Sequence, residues 1–297
     1  MWQSGGVTTL RFACRSLLSL GLILALGSSL AAWGRKGHFW IAEKAVDSVG
    51  PELRQLLERH RSELVRLSVA ADDRRPDDAQ ERFRHYIDLD NYGAFPYPGF
   101  DLDQRALERV WGKTWVRHQG TVLWVIQRRY GELVEAFKSR KIGSIRLAAA
   151  DLCHYVSDLH QPFHATGNYD GQKTGQEGIH SRFESDLVKN MEPRLRFESA
   201  PLRRYPKPSE AMYQVALDSL QWVDNILTAD VQIVDELAID RSRYADVPVP
   251  ERRFPDPYYE RLEQRLGAMT QSRMSAAAVT IASLWQQAWK EAGRSEF

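Results

Sequence analysis

Apolar residues recur every three or four positions along most of the chain, the spacing expected for the buried face of an α-helix. This spacing predicts helices over 38–49, 51–67, 102–117, 119–138, 143–160, 209–229 and 258–292, with another beginning near Ile179. No segment alternates polar and apolar residues in the manner of a β-strand, and no internal repeat is visible. The pattern therefore predicts an all-α protein, with residues 33–297 forming one domain.

Proline, glycine and clustered polar residues mark the ends of these helices. Gly50 and Pro51 separate the first two helices, and Pro162 ends the helix over 143–160 because its ring and missing N–H cannot continue the backbone ladder. Loops are predicted over 70–84, 91–100, 165–178 and 230–255, the last with room for a short helix.

The first 32 residues have a different pattern. Arg11 and Arg15 precede an apolar run that ends at Ala31 and Ala32, the arrangement of a secretory signal peptide. The run is short for a bilayer span, which needs about 20 residues. We expect cleavage after Ala32, export to the periplasm or beyond the cell, and no transmembrane span in the mature protein. An uncleaved membrane anchor is the alternative.

Removal of this segment changes the charge and the cysteine content. The formal net charge of +1 becomes −1 because Arg11 and Arg15 are lost. A nearly neutral chain has no overall basic field to attract nucleic acid or acidic membranes, although a local patch or bound cations could do so. Cys14 is lost as well, so Cys153 remains without a partner for an intramolecular disulfide. Bound metal can stabilise such a fold instead.

The residues most suggestive of chemistry form two pairs on predicted helices. His154 and Asp158 are four residues apart, and therefore on one helix face, and His164 follows the proline break. His180 and Glu184 repeat the four-residue spacing. Each pair alone is common on a helix surface, but the combination is a ligand set for zinc or a similar divalent cation.

These motifs resemble the superfamily of zinc-dependent phospholipases C and fungal single-strand-specific nucleases. The resemblance rests on Trp-Gly-Arg-Lys-Gly-His over 33–38, His-Tyr-Ile-Asp over 85–88, and the segments 154–164 and 180–184, in the family's order. It implies a single compact multi-helix domain and a hydrolase that acts on phosphoric diesters.

The resemblance further implies three zinc ions. The first ion would be held by Asp72, His85, His154 and Asp158. The second would be held by His164, His180 and Glu184. The third would be held by His38, by the amine and carbonyl oxygen of Trp33, and by Asp158, which would bridge it to the first. Only a chain that begins at Trp33 has a free amine there, so the third ion depends on signal cleavage.

The carboxylate that precedes His85 is the least constrained of these ligands. Asp72 fits the family's pattern best because it follows two alanines, and Asp73 is an alternative. Both also suit a surface turn. In the implied mechanism, a metal-bound hydroxide attacks phosphorus and Asp72 assists as a base. His160 is expected to orient a ligand or a carboxylate.

Features of a nuclease include the run Asp-Leu-His-Gln-Pro-Phe-His over 158–164. Trp33 and His38 are five residues apart, as in the nucleases, and the residues that match Tyr86 and Asp88 contact a nucleobase there. An aromatic ring that stacks on a base contributes about 1–3 kcal/mol, which makes Tyr86 a sensible substrate-binding residue. The aromatic segment 92–100 suits base stacking, contact with lipid, or the core.

Features of a phospholipase lie further along. Glu184 occupies a position where the nucleases usually carry aspartate, the gap between His164 and His180 is shorter, and the nuclease disulfides are missing. We therefore favour a phospholipase-C-like enzyme, with a single-strand-specific endonuclease as the alternative on the same three-zinc site. The substrate would be phospholipid or single-stranded nucleic acid.

A third possibility is a non-catalytic binding protein that zinc merely stabilises. Structural zinc sites usually have four protein ligands, whereas the second site has three, and this difference favours catalysis. We expect no obligate protein partner.

Overall fold

The computed structural model describes residues 33–248 and 252–293, so the predicted signal peptide lies outside the described residues. Every regular element in these two ranges is helical, which confirms the all-α prediction. The α-helices are α1 Gly34–Ser48, α2 Pro51–Glu58, α3 Arg61–Leu67, α4 Ala70–Arg74, α5 Gln104–Trp111, α6 Lys113–His118, α7 Val122–Ser139, α8 Ile142–Leu159, α9 Ile179–Ser181, α10 Val188–Met191, α11 Pro208–Leu220, α12 Val223–Glu236 and α13 Asp256–Glu291. Short 3-10 helices cover Glu81–Arg84, Leu89–Tyr92, Pro162–Ala165 and Arg241–Tyr244, and a π-helical segment, Arg182–Leu187, joins α9 to α10.

Helix α8 is the central element of the fold. It packs against α1, α3, α7 and α13, and every residue from Ala148 to Leu159 is buried. His154, Ser157 and Asp158 lie on this buried stretch. Buried polar side chains require hydrogen bonds or a bound ion to offset their desolvation. These polar residues of α8 are therefore candidates for a functional site inside the core.

The prediction of a loop over 70–84 is wrong in part. Ala70–Arg74 forms α4 and Glu81–Arg84 forms a 3-10 turn. Clustered aspartates and arginines suggested a solvated loop, but α4 packs against α8 and buries Ala71 and Asp72. Tertiary contact therefore outweighs the local preference of these residues for turns.

Three predicted helices are each divided in two. The helix over 102–117 is broken at Gly112, where glycine is a usable signal. The other two breaks carry no such signal. The helix over 51–67 is broken at Arg59 and His60, and the one over 209–229 is broken at Gln221 and Trp222. After the break at Gln221 and Trp222, α12 continues to Glu236, into the segment predicted as a loop. Neither break contains glycine or proline, so nothing in the sequence signals them.

The longest helix, α13, has 36 residues and packs against α1, α7, α8 and α12. Among the described residues, no helix combines the length and the hydrophobicity that crossing a bilayer requires. Cys153 is buried and unpaired within the core.

Candidate metal centre

The first group of potential ligands joins α1 to α8. The ring of His38 stacks on that of His154, with centroids 4.3 Å apart, and His38 Nε2 lies 3.3 Å from Asp158 Oδ1. Ligand atoms of the three residues all lie within 4.8 Å of one another, and all three side chains are buried. A single divalent cation can be reached by all of them.

The second group shares His154 with the first and adds α4 and the segment after the Glu81–Arg84 turn. His85 Nδ1 and His154 Nε2 are 3.0 Å apart, and each lies 3.8 Å from Asp72 Oδ1. Asp158 Oδ2 lies 2.8 Å from His85 Nδ1, while Oδ1 faces His38. Asp158 thus has one carboxylate oxygen directed to each group, the geometry of a bridging ligand.

The third group is formed by His164, His180 and Glu184. Glu184 Oε2 is 2.8 Å from His180 Nε2 and 3.9 Å from His164 Nε2. The break after α8 carries His164 back toward the site on the Pro162–Ala165 turn, as the sequence suggested. Glu184 lies in the π-helical segment, a rare local geometry that is frequent at functional sites.

Trp33 lies at the start of α1, beside the first group. Its side chain is fully buried and its indole N–H donates to the Ser157 carbonyl at 2.9 Å, next to Asp158 in the chain. Gly37 permits this packing, because a Cβ there would lie 2.6 Å from Trp33 Cβ. Residue 33 is therefore anchored against the part of α8 that carries Asp158.

Several buried polar atoms of these groups lack a hydrogen bond within the described residues. They include His38 Nδ1, Asp72 Oδ2 and His164 Nε2, while His38 Nε2 and Asp158 Oδ1 face each other without the alignment of a hydrogen bond. Such atoms are costly in a core unless a ligand satisfies them. Nitrogen and carboxylate donors in this arrangement fit zinc.

The electrostatics of the centre also favour bound cations. Burial lowers the pKa of His164 to about 3, which leaves a neutral imidazole able to donate a lone pair. Burial acts in the same direction on His154, but the carboxylates of Asp158 and Asp72 outweigh it and raise the pKa of His154 to about 9. Buried carboxylates therefore draw positive charge to this point, which a divalent cation would supply.

Main-chain carbonyls hold the rings of three histidines. The Nδ1 atoms of His154, His164 and His180 bond to the carbonyl oxygens of Ser68, His85 and Tyr169, at 2.8, 2.6 and 2.9 Å. In each case Nε2 faces the candidate centre. A donor bond from the far nitrogen to a fixed oxygen sets the tautomer and orientation of a ligating histidine.

Gln161 and Arg182 support the third group, and neither residue was predicted from the sequence. Gln161 Nε2 donates to Glu184 Oε2 at 3.0 Å. Arg182, fully buried in the π-helical segment, contacts Asp230 of α12 and donates to the carbonyls of Gln176 and Glu177. These bonds secure the backbone that carries His180 and Glu184.

Glu81 was also missed, although its position four residues before His85 was a usable signal. It is fully buried, accepts a hydrogen bond from the Tyr155 hydroxyl, and its Oε1 lies 3.5 Å from His85 Nε2. Burial opposes its ionisation, yet the nearby His85 ring, the hydrogen bond from Tyr155 and the charge of Arg74 hold the pKa of Glu81 below its usual range.

Tyr86 and Asp88 lie beside the centre, on the segment after His85. Tyr86 is half-buried, and Gly120 packs against it so closely that a Cβ there would lie 2.0 Å from the Tyr86 carbonyl oxygen. Asp88 is buried with Oδ1 unpartnered among the described residues. Burial, and then Asp90, raise the pKa of Asp88 to about 8, against the influence of Lys173.

The aromatic segment 92–100 is neither wholly core nor wholly exposed. Tyr92 is buried against Phe100 and Trp115, whereas Phe95 is 76% exposed and packs edge-on against Tyr97. The segment therefore contributes both to the core and to the surface near Asp88.

Asp73 and His160 do not face the candidate centre, although the sequence suggested a role there for each. Asp73 is on the surface, where it pairs with Arg35 at 2.7 Å, while its neighbour Asp72 points inward. His160 was expected to orient a ligand, but its imidazole contacts the Val156 carbonyl and the Thr280 hydroxyl instead. Its place at the end of α8 turns the ring toward α13.

Comparison with known proteins agrees with this geometry. No curated protein matches the chain. A protein-family model described as S1/P1 Nuclease matches residues 33–195, more than half of the 297 residues, and this range contains every candidate ligand. The chain therefore belongs to the S1/P1 nuclease family, a family of zinc-dependent phosphodiester hydrolases.

Proposed function

We propose that this protein is a nuclease that cleaves single-stranded nucleic acid at a centre of three zinc ions. The observation that carries the proposal is the convergence of five histidines and three carboxylates from distant parts of the chain on three adjoining buried groups. In the sequence, Glu184 favoured a phospholipase-C-like enzyme. The family match supports a nuclease better than that interpretation.

The proposed ligand sets are those that the resemblance implied. Asp72, His85, His154 and Asp158 would hold the first ion, and His164, His180 and Glu184 the second. His38 and Asp158 would hold the third with the amine and carbonyl of Trp33. Zinc bound there would polarise the phosphoryl oxygens and lower the pKa of a water molecule.

The side chains around the ions would position and neutralise the substrate. Asp72 Oδ2 is buried without a partner among the described residues and is the proposed acceptor of the proton from the attacking water. The guanidinium of Arg75 lies 3.0 Å from Asp72 Oδ1, at the edge of the centre. We propose that it also contacts a non-bridging phosphate oxygen, because the planar guanidinium presents N–H donors whose geometry matches phosphate oxygens.

Tyr86 and Asp88 are the proposed contacts to a nucleobase. The half-buried Tyr86 ring offers a face for stacking. Asp88, largely protonated near neutral pH by its raised pKa, would offer a base edge both a donor and an acceptor. A polar, buried group beside a stacking ring suits a nucleobase better than an acyl chain.

The proposal includes export of the protein with removal of residues 1–32. Cleavage after Ala32 would expose the amine of Trp33, and the burial of Trp33 beside Ser157 supports a role for the main chain at this residue. The same cleavage would release the protein into the periplasm or the medium.

The test is a side-by-side assay of the zinc-loaded chain beginning at Trp33. Its substrates are single-stranded DNA, RNA and phosphatidylcholine vesicles, each with and without a chelator. We expect chelator-sensitive cleavage of the two nucleic acids and little release of phosphocholine. Hydrolysis of the vesicles with intact nucleic acid would reject the proposed substrate and restore the phospholipase alternative.

A further inference from the structure

His85 is oriented in the opposite sense from the other anchored histidines of the centre. His154, His164 and His180 direct Nε2 to the centre and bond through Nδ1 to a neutral carbonyl. His85 directs Nδ1 to the centre, 2.8 Å from Asp158 Oδ2, and turns Nε2 toward the carboxylate of Glu81. Its far nitrogen therefore meets a charged acceptor.

The contacts of Glu81 divide between its two oxygens. Oε2 lies 2.5 Å from Arg84 Nη1 and 3.4 Å from Arg74 Nε, so the charge of the buried carboxylate is compensated on that side. Oε1 accepts from the Tyr155 hydroxyl and lies 3.5 Å from His85 Nε2. Nε2 is buried and has no hydrogen bond within the described ranges, and Glu81 Oε1, at 3.5 Å, is the acceptor that faces it.

We propose that Glu81 is a positioning residue for the first zinc ion. Its Oε1 accepts the Nε2 proton of His85, which keeps Nδ1 unprotonated and aimed at the cation. A carboxylate in this place fixes the ring and makes the imidazole a stronger donor than a carbonyl would. The inference rests on the proposed metal centre and adds a residue outside the ligand set.

The arginines explain why the carboxylate can stay buried. Arg74 is itself held by Asp151 through both terminal nitrogens, and Arg84 contacts Asp78 at 2.8 Å. The network therefore fixes Glu81 from behind while Oε1 faces His85. A buried charge of this kind is retained only when it is paired.

The test compares Glu81→Gln and Glu81→Asp with Asp151→Asn, each in the chain beginning at Trp33. Glutamine removes the charge at constant size, and aspartate keeps the charge but withdraws it from His85. Asp151→Asn disturbs the same network at a residue with no contact to His85. Zinc affinity is measured by competition with a chromophoric chelator, independently of activity.

We expect both Glu81 variants to bind one of the ions about 10–100-fold more weakly. Asp151→Asn loosens Arg74 but leaves Arg84 and Tyr155 on Glu81, so it should weaken zinc binding clearly less. Unchanged affinity in the Glu81 variants, or equal weakening in Asp151→Asn, would overturn the inference. If Glu81→Gln fails to fold, Glu81→Asp is judged by the same criteria.

Histidine ring ¹⁵N spectra of the wild type give a second measure that no variant can obscure. We expect His85 to carry its proton on Nε2, and a proton on Nδ1 would overturn the inference. A wild type that binds no zinc would reject the metal centre itself. Zinc binding that Glu81 does not influence would reject only the role of Glu81.

Discussion

The imidazole Nδ1 of His164 donates to the main-chain carbonyl of His85 at 2.6 Å. A second bond joins the same two segments in the opposite direction: the N–H of Ile87 donates to the carbonyl of His164 at 2.9 Å. These two bonds join the turn after α8 to the segment that carries His85, so the second and third ligand groups cannot move independently. A phosphate bound across them would meet donors at a fixed separation, which favours catalysis by positioning.

Glu184→Ala should remove one zinc ion and most of the activity, because Glu184 is the only carboxylate in its group. Changes to supporting residues of metal sites cost about 10–100-fold, so loss of a ligand should lower turnover by at least about 100-fold. Glu177→Ala is the matched control, since Glu177 is exposed and three residues before His180. Equal metal content and turnover in the two variants would exclude a ligand role for Glu184.

Asp72→Ala and Asp73→Ala form a pair of adjacent substitutions with opposite expected results. Asp72 is buried against His85 and His154, whereas the Asp73 side chain is 58% exposed and pairs with Arg35. We expect kcat to fall by about 10²–10⁴-fold in the first variant and to change little in the second. Comparable losses in both, measured on single-stranded DNA, would contradict the assignment of Asp72 as base.

Tyr86→Ala should weaken substrate binding more than it slows the chemical step. Loss of one stacked base corresponds to about 1–3 kcal/mol, or about a 5–150-fold rise in KM. Tyr86→Phe keeps the ring and deletes only the hydroxyl, which donates to the His118 carbonyl at 3.1 Å. An increase in KM of the same size in both variants would show that the hydroxyl, and not the ring, is responsible.

Asp88→Asn should stabilise the protein at alkaline pH and have little effect in acid. The folded-state pKa of about 8 lies above the ordinary value of 3.8. The stabilising effect of the protonated Asp88 is therefore full below about pH 4 and is lost as pH rises toward 8. The loss approaches about 1.4 kcal/mol for each pH unit in that window.

Thermal unfolding of wild type and Asp88→Asn across this range measures the difference directly. The gap between the two melting temperatures should widen from about pH 4 to about pH 8 and then stay constant. A gap that does not vary with pH would mean that Asp88 titrates at its ordinary value.

Helical periodicity was enough to predict the all-α fold and to bring together residues on one helix or around one break. His154 with Asp158, and His180 with Glu184, follow from four-residue spacing alone. Contacts between distant segments, such as the stacking of His38 on His154, came only from the family resemblance, because local spacing carries no information about them.

The features that the sequence did not predict depend on tertiary packing. Helix α4 forms because Ala71 and Asp72 pack against α8, although its composition is typical of a turn. The π-helical segment holds Glu184 through contacts of Arg182 with Asp230, nearly fifty residues away. Glu81 is four residues before His85, but in a segment rich in charged residues a buried carboxylate cannot be told from surface charge without the structure.

The central claim is that the three groups of side chains cage zinc. Anomalous diffraction at the zinc edge, from crystals of the chain beginning at Trp33, tests it most directly. We predict three peaks: one among Asp72, His85, His154 and Asp158, one among His164, His180 and Glu184, and one beside His38, Asp158 and the Trp33 amine. A map with no peak at these residues, from protein that still cleaves phosphodiesters, would contradict the account.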